Sequence, residues 1–252
     1  MSDLQVSSTD GVLRLHIDRE HKRNALSGEI LRGMLDALAC PGDARVVVVS
    51  SAGRVFCSGA DLTQMAPEAT GLEIHESRGL VRELVLAMQA CPAPVVASVQ
   101  GPCLAGGLGL VLGCDIVLAA EHAEFGLPEV DIGIWPFMVS ALLATHVSPK
   151  RASEMMLSGR RVPAREALEM GIVSRITEKH VEDTNQVVAE LASKPPVAVR
   201  LGKAAFRSAC ETPLHEALLA IQAQLSLLNT THDASEGISA FLEKRKPSWT
   251  GR

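Results

Sequence analysis

The stretch VQGPCLAGGLGLVLGCDIVLA, residues 99–119, decides how this chain is to be read. Its glycine-rich part, Gly101–Gly113, follows the β-branched run Pro94–Val99 and leads into a helical pattern. Strand, glycine bend and helix in that order invite a dinucleotide-binding reading, but the spacing refuses it. Gly107 and Gly109 would need a third glycine at position 112, which is Leu112. A phosphate loop fails too, because no Gly-Lys-Ser/Thr follows. Two readings remain. The glycines let a helix pack closely on a strand, or they let a ligand approach backbone N–H groups at a helix start. An amide of that kind can form half of an oxyanion hole, and a second donor is then required.

The surroundings divide into two regimes. Up to about Ala120, short β-rich runs alternate with helical patterns. Val12–Ile17 alternates apolar and polar residues, whereas Arg45–Ser50, Pro94–Val99 and Asp115–Ala119 are continuous runs of the kind buried on both faces. Ser27 can cap a helix carrying Ile30, Leu31, Met34, Leu35 and Leu38 on one stripe, and a second helix is expected over 73–89. This alternation predicts α/β layering. Beyond about Ser140 the chain reads as almost wholly helical, with Pro149, Pro163, Pro195, Pro196 and Pro213 near helix starts and Gly171 ending one. The last helix is expected over 233–244. The expected division is a core at 1–195 and a helical C-terminal region at 196–252.

Composition narrows the function. A formal charge of −5 argues against a general nucleic-acid or membrane-surface binder, though not against a local basic patch for a phosphorylated ligand. Six cysteines without a CxxC pair, in apolar surroundings, read as buried free thiols of a reducing compartment. No signal peptide or membrane span is legible, so a cytoplasmic location is expected. His16, His75, His122 and His146 follow no metal-ligand spacing.

A second amide donor is suggested by Val55-Phe-Cys-Ser-Gly-Ala-Asp-Leu62, just after the run ending at Ser50. Alone, Gly59 and Asp61 are turn or capping residues. Taken in order, RNALS (23–27), FCSGADL (56–62), residues 99–119, FGLPEVDIG (125–133) and EGISAFLEKRK (236–246) resemble the enoyl-CoA hydratase/isomerase, or crotonase, superfamily over practically the whole chain.

That resemblance implies a spiral of ββα units with a helical C-terminal trimerisation region, assembled as a homotrimer or dimer of trimers. It implies an acyl-CoA substrate, with coenzyme A as part of the substrate and no separate cofactor or metal. Ala60 and Gly106 match the family's oxyanion amides, donors worth about 3–4 kcal/mol each. Coenzyme A is expected along the backbone of Arg23, Ala25, Asp61 and Leu62, with Phe241 and Lys244 reaching a neighbouring subunit's ligand. Typical hydratases of the family use two glutamates. Glu129 matches one, but the other's position, three residues after Gly106, is Gly109. Phe137 also stands where a glycine of the water-holding turn is usual.

Both departures fall on water handling, and isomerases of the family need only one glutamate. Isomerisation by Glu129 is therefore the first expectation, enoyl-CoA hydration the second, and a non-catalytic coenzyme A binder the rival from another class. Phe125, Leu127, Ile132, Ile134 and Trp135 are expected to supply apolar surroundings for Glu129, with Trp135 and Phe137 shaping the acyl pocket. Asp131 would share a face with Glu129 only if the segment were extended; a turn after Pro128 would separate them.

Overall fold

The computed structural model describes residues 2–64 and 70–252. Its strands are β1 (Leu4–Thr9), β2 (Val12–Ile17), β3 (Val46–Ser51), β4 (Val95–Val99), β5 (Cys103–Leu104), β6 (Ile116–Ala120), β7 (Glu124–Gly126), β8 (Arg161–Pro163) and β9 (Arg175–Thr177). Six of them form one sheet in the order β1-β2-β3-β4-β6-β9, parallel throughout except for the β1–β2 hairpin. Asp10 and Gly11 turn that hairpin, both at positive φ, as a tight two-residue turn requires.

Helices α1 (Gly28–Ala39), α2 (Gly71–Ala90) and α3 (Gly106–Leu112) connect successive parallel strands. The Ser27 hydroxyl accepts the Ile30 amide at the start of α1, a cap worth about 1 kcal/mol. Thr70 and Glu73 form a reciprocal capping box at the start of α2. The pleat explains the valine run: Val47 and Val49 enter the main core with Ile30, Met34 and Met88, while Val46 and Val48 face the other way. There they meet Val187 and Val188, which belong to a later helix. Each α1 side chain buried against the sheet contributes about 2 kcal/mol.

Short extended pieces build a second layer. Leu26 bridges Ala60, Cys57 bridges Cys103, and β5 pairs with β7, which pairs with β8. The passages β2, β3, β4 and β6 are thus each followed by a small contribution to this layer, which gives the spiral.

The remaining helices are α4 (Phe137–His146), α5 (Pro149–Ser158), α6 (Ala164–Glu169), α7 (His180–Ala192), α8 (Pro196–Cys210), α9 (Leu214–Leu228) and α10 (His232–Leu242). Helix α7 carries Val187 and Val188. Two expectations need correction. The chain after Ser140 is not wholly helical, because β8 and β9 return to the two sheets, where backbone pairing supplies what three-residue apolar patterns cannot signal. Nor are all six thiols buried: Cys40 and Cys210 are exposed, both at helix ends. No helix among the described residues is long and apolar enough to cross a membrane.

Helix α8 is fastened to the core by charge. Asp115 meets Lys203 at 2.6 Å and Arg207 at 3.1 Å, and its carboxylate accepts the Val95 amide at 2.8 Å. Lys203 also donates to the carbonyls of Met88 and Ala93. Replacing Asp115 with alanine is expected to cost about 3 kcal/mol, since two cations lose their partner; urea unfolding followed by circular dichroism reads the loss.

Candidate active site

Asn24, at φ +54 and fully buried, organises the RNALS turn. Its side chain accepts the Arg19 amide and donates to the carbonyls of Ala52 and Val55, binding this turn to the segment after β3. Leu26 then donates to Gly59 at 2.8 Å and accepts from Asp61 at 2.9 Å, which places Ala60 between two backbone bonds. Gly59 has φ +104, and a Cβ on it would lie 2.7 Å from that of Ala105. Only glycine fits there.

Ala105 itself sits at φ +53, ψ −128, a conformation costly for a residue with a side chain. Its amide is held by the Gly126 carbonyl at 2.9 Å. The bend delivers Gly106 to the first position of α3, where an N–H has no helical acceptor. A Cβ on Gly106 would lie 3.5 Å from the Ala60 nitrogen, so the two backbones adjoin. Among the described residues, neither amide donates to a loop or turn carbonyl. Two free N–H groups in one place can hold one developing oxyanion.

Glu129 is reached three residues after Gly126, the residue that anchors Ala105. Its backbone forms a 3-10 turn (Pro128–Ile132) ended by Gly133 at φ +76. The side chain is 8% exposed, and its Oε2 is buried without a hydrogen-bond partner. Burial pushes its carboxyl above the usual glutamate range. Phe125 and Leu127 are fully buried, but Ile132 and Ile134 are largely exposed and Trp135 only half-buried, so fewer of these five residues are withdrawn from water than the sequence suggested. Asp131 is no partner for Glu129: the turn abolishes the strand-like alternation, and its carboxylate lies against Gly159 at the end of α5.

Position 109 is tight. A Cβ on Gly109 would stand 3.1 Å from Cγ2 of Val139 in α4, so a side chain at this position would have to displace that methyl by a few tenths of an ångström. Nearby thiols offer no nucleophile, since burial raises Cys57 to about 12 and Cys103 well above its ordinary value.

Of the other expected positions, Ala25 and Asp61 are buried while Arg23 and Leu62 are exposed beside them. The Asp61 carboxylate faces inward, its amide donates to the Leu26 carbonyl and its carbonyl accepts the Gln64 amide, so its groups are taken up within the protein. The Thr63 hydroxyl, then the Arg19 guanidinium, hold it down at about 2 against the opposing effect of burial. Phe137 is 76% exposed at the start of α4. Phe241 and Lys244 project into solvent at the end of α10 and are not brought to Glu129 by their own chain. Arg19 and Val139 were not singled out by sequence; the only signal for Arg19 was its place directly after β2, and for Val139 there was none.

A sequence profile described as enoyl-CoA hydratase/isomerase matches residues 7–252. The chain belongs to the enoyl-CoA hydratase/isomerase family. It is 36% identical to the 2,3-dehydroadipyl-CoA hydratase of Escherichia coli (strain K12), the match covering 100% of both chains. It is 34% identical to human enoyl-CoA hydratase domain-containing protein 3, mitochondrial, over 96% of this chain and 81% of that one. The crystal structure of an enoyl-CoA hydratase from Mycobacterium smegmatis superimposes with a TM-score of 0.95 at 31% identity, covering 99% of each chain. The fold is that of the crotonase family, and the protein is an enzyme of it.

Proposed function

We propose that this family member shifts the double bond of an enoyl-CoA thioester with Glu129 as its single acid/base. The Glu129 carboxylate takes the proton from carbon 2 of a 3-enoyl-CoA. The electron pair moves into the thioester, whose oxygen becomes the dienolate oxyanion bound by the Ala60 and Gly106 amides. Glu129, now a neutral acid, returns the proton to carbon 4, and a 2-enoyl-CoA results. The reaction asks for no metal and no cofactor beyond the coenzyme A of the substrate. Burial suits a carboxylate to both halves of this exchange, because it strengthens the base and preserves the acid form.

The observation that carries the proposal is the pairing of a buried Glu129, whose Oε2 has no hydrogen-bond partner, with a position 109 that bears no carboxylate and is tight against Val139. A second reading, hydration, is favoured by the names of the relatives. Absorbance of the conjugated thioester separates them: a rise from 3-enoyl-CoA supports isomerisation, and a fall from 2-enoyl-CoA supports hydration. No change with either would sink both and leave another acyl-CoA reaction or a non-catalytic binder.

Installing the absent carboxylate is a sharper check. Gly109→Glu alone is expected to lose about 1–3 kcal/mol through crowding against Val139, with no gain in hydration. Adding Val139→Ala is expected to restore stability and raise hydration, read by thermal melts and by the fall in absorbance of 2-enoyl-CoA.

We also infer a homotrimer or dimer of trimers. Exposed Leu214, Leu218 and Leu225 lie on one stripe of α9 and give it an apolar face suited to a second copy. Phe241 and Lys244 would then meet a neighbour's ligand. Sedimentation is expected to show a trimer-based assembly, and a stable monomer would contradict it. A cytoplasmic location accords with the four buried free thiols.

A further inference from the structure

The stretch carrying Ala60 is joined to the RNALS turn by three backbone bonds, Ser58 to the Arg23 carbonyl, Leu26 to the Gly59 carbonyl and Asp61 to the Leu26 carbonyl. None of them engages the Ala60 amide, which must be placed within a fraction of an ångström. One charged side chain spans this junction. The Arg19 Nη1 donates to the Ala25 carbonyl at 3.1 Å and meets the Asp61 carboxylate at 2.7 Å, so one nitrogen grips both strands, on the residues flanking Leu26 and Ala60. Its Nε lies 2.7 Å from Asp3, a second ion pair on the far side of the guanidinium. These pairs hold by charge and proximity, since neither the Arg19 Nε nor the Asp61 Oδ2 makes a well-directed hydrogen bond. The Arg19 main chain is equally committed. Its amide donates to the Asn24 side chain, and its carbonyl accepts the amides of Lys22 and Asn24. The group is 9% exposed, and the Asp61 side chain 3%.

We propose that Arg19 is a positioning residue for the oxyanion hole, acting through Asp61 and Ala25 to aim the Ala60 amide. This rests on the assignment of Ala60 and Gly106 as the oxyanion donors. The Gly106 side of the hole is set independently, by the Gly126 carbonyl and by Gly59 packed on Ala105. Loosening the Arg19 clamp therefore moves one donor relative to the other rather than both together. A buried ion pair contributes little to net stability compared with a well-packed apolar replacement. Stability alone is thus a poor account of this cluster. Lysine is a poor substitute, because one compact ammonium cannot lie against the Ala25 carbonyl, Asp61 and Asp3 at once as the broad guanidinium does.

The test reads the hydrogen bonds themselves. A 2-enoyl-CoA labelled with carbon-13 at the thioester carbonyl is bound to Glu129→Gln protein, and its carbonyl stretch is recorded by infrared difference spectroscopy. The parent is expected to lower that frequency relative to free ligand. Adding Arg19→Lys, or separately Asp61→Asn, is expected to remove more than half of the lowering. In proteins retaining Glu129, the same substitutions are expected to cut kcat about 10- to 100-fold with KM within about threefold. Asp115→Asn, which weakens the other buried ion pair, is the stability control: it should lower the melting temperature but keep the stretch and kcat.

Arg19→Lys and Asp61→Asn proteins that keep the full frequency shift, and lose no more activity than Asp115→Asn, would overturn the proposal. Absence of any shift in the parent would instead refute the oxyanion assignment, and the clamp with it.

Discussion

Glutamine in place of Glu129 is expected to lower kcat for double-bond isomerisation by about 10²–10⁴-fold, the usual contribution of a placed acid/base. The amide matches the carboxylate in shape but can neither take the proton from carbon 2 nor return it to carbon 4. Binding should persist, because the amides of Ala60 and Gly106 are untouched; KM should change far less than kcat. The pH profile carries a second signature. The working base is ionised, so activity falls as pH drops through the Glu129 pKa, and burial places that limb above the ordinary glutamate range. Stability runs the other way. A carboxyl whose folded pKa is raised is fully tolerated below its unfolded value, and folding loses free energy as pH rises through the folded one. Glu129→Gln protein is therefore expected to melt higher than the parent at neutral pH, with the two converging below about pH 4. Melting curves across pH, beside initial rates, check both. Equal activity in the two proteins would remove Glu129 from the mechanism.

The second large effect is expected from Gly106→Pro. Proline is accepted at the first position of a helix, since the missing N–H has no helical acceptor. Its ring also constrains the bend at Ala105, so a thermal melt matching the parent's is required before the rate is read. Position 106 has ordinary room for a Cβ, the nearest atom being the Ala60 nitrogen at 3.5 Å. The substitution thus deletes one proposed donor and sets a ring carbon where the thioester oxygen would sit. A loss of about 10²–10³-fold in kcat corresponds to one donor of this type. Gly106→Ala keeps the N–H and is the matched control, expected to retain most activity. Initial rates with 3-enoyl-CoA distinguish them, and equal rates for the two variants would show that the Gly106 amide carries no catalytic weight.

Much of the fold was legible because it rests on pattern. β3, β4 and β6 are continuous apolar runs, and α1 announces itself by its stripe and by Ser27. The failures have physical causes. β1 is exposed along nearly its whole length, so LQVSST carries no strong apolar signal; the Asp10-Gly11 pair after it was the available clue. β8 and β9 are three residues each, too short for any period to show, and exist because neighbouring strands offer them carbonyls and amides. At the candidate site the glycine pattern pointed to two backbone donors, but only the fold shows Gly109 pressed against Val139 and Asp131 turned to Gly159. Arg19 was invisible because its partners, Asp3 and Asp61, lie far apart along the chain.

In the proposed mechanism Ala60 and Gly106 would offer only main chain to the substrate, and every amino acid except proline possesses that N–H. The hereditary record of this chemistry is consequently written one residue away, in Gly59, which must lack a Cβ, and in Ala105, whose bend sets the direction of the next amide. Natural variation would be felt most sharply at those neighbours, while the positions that touch the thioester tolerate exchange. A comparison of divergent sequences that looks for invariant reactive side chains would pass over this machinery, and one that looks for forbidden Cβ atoms would find it.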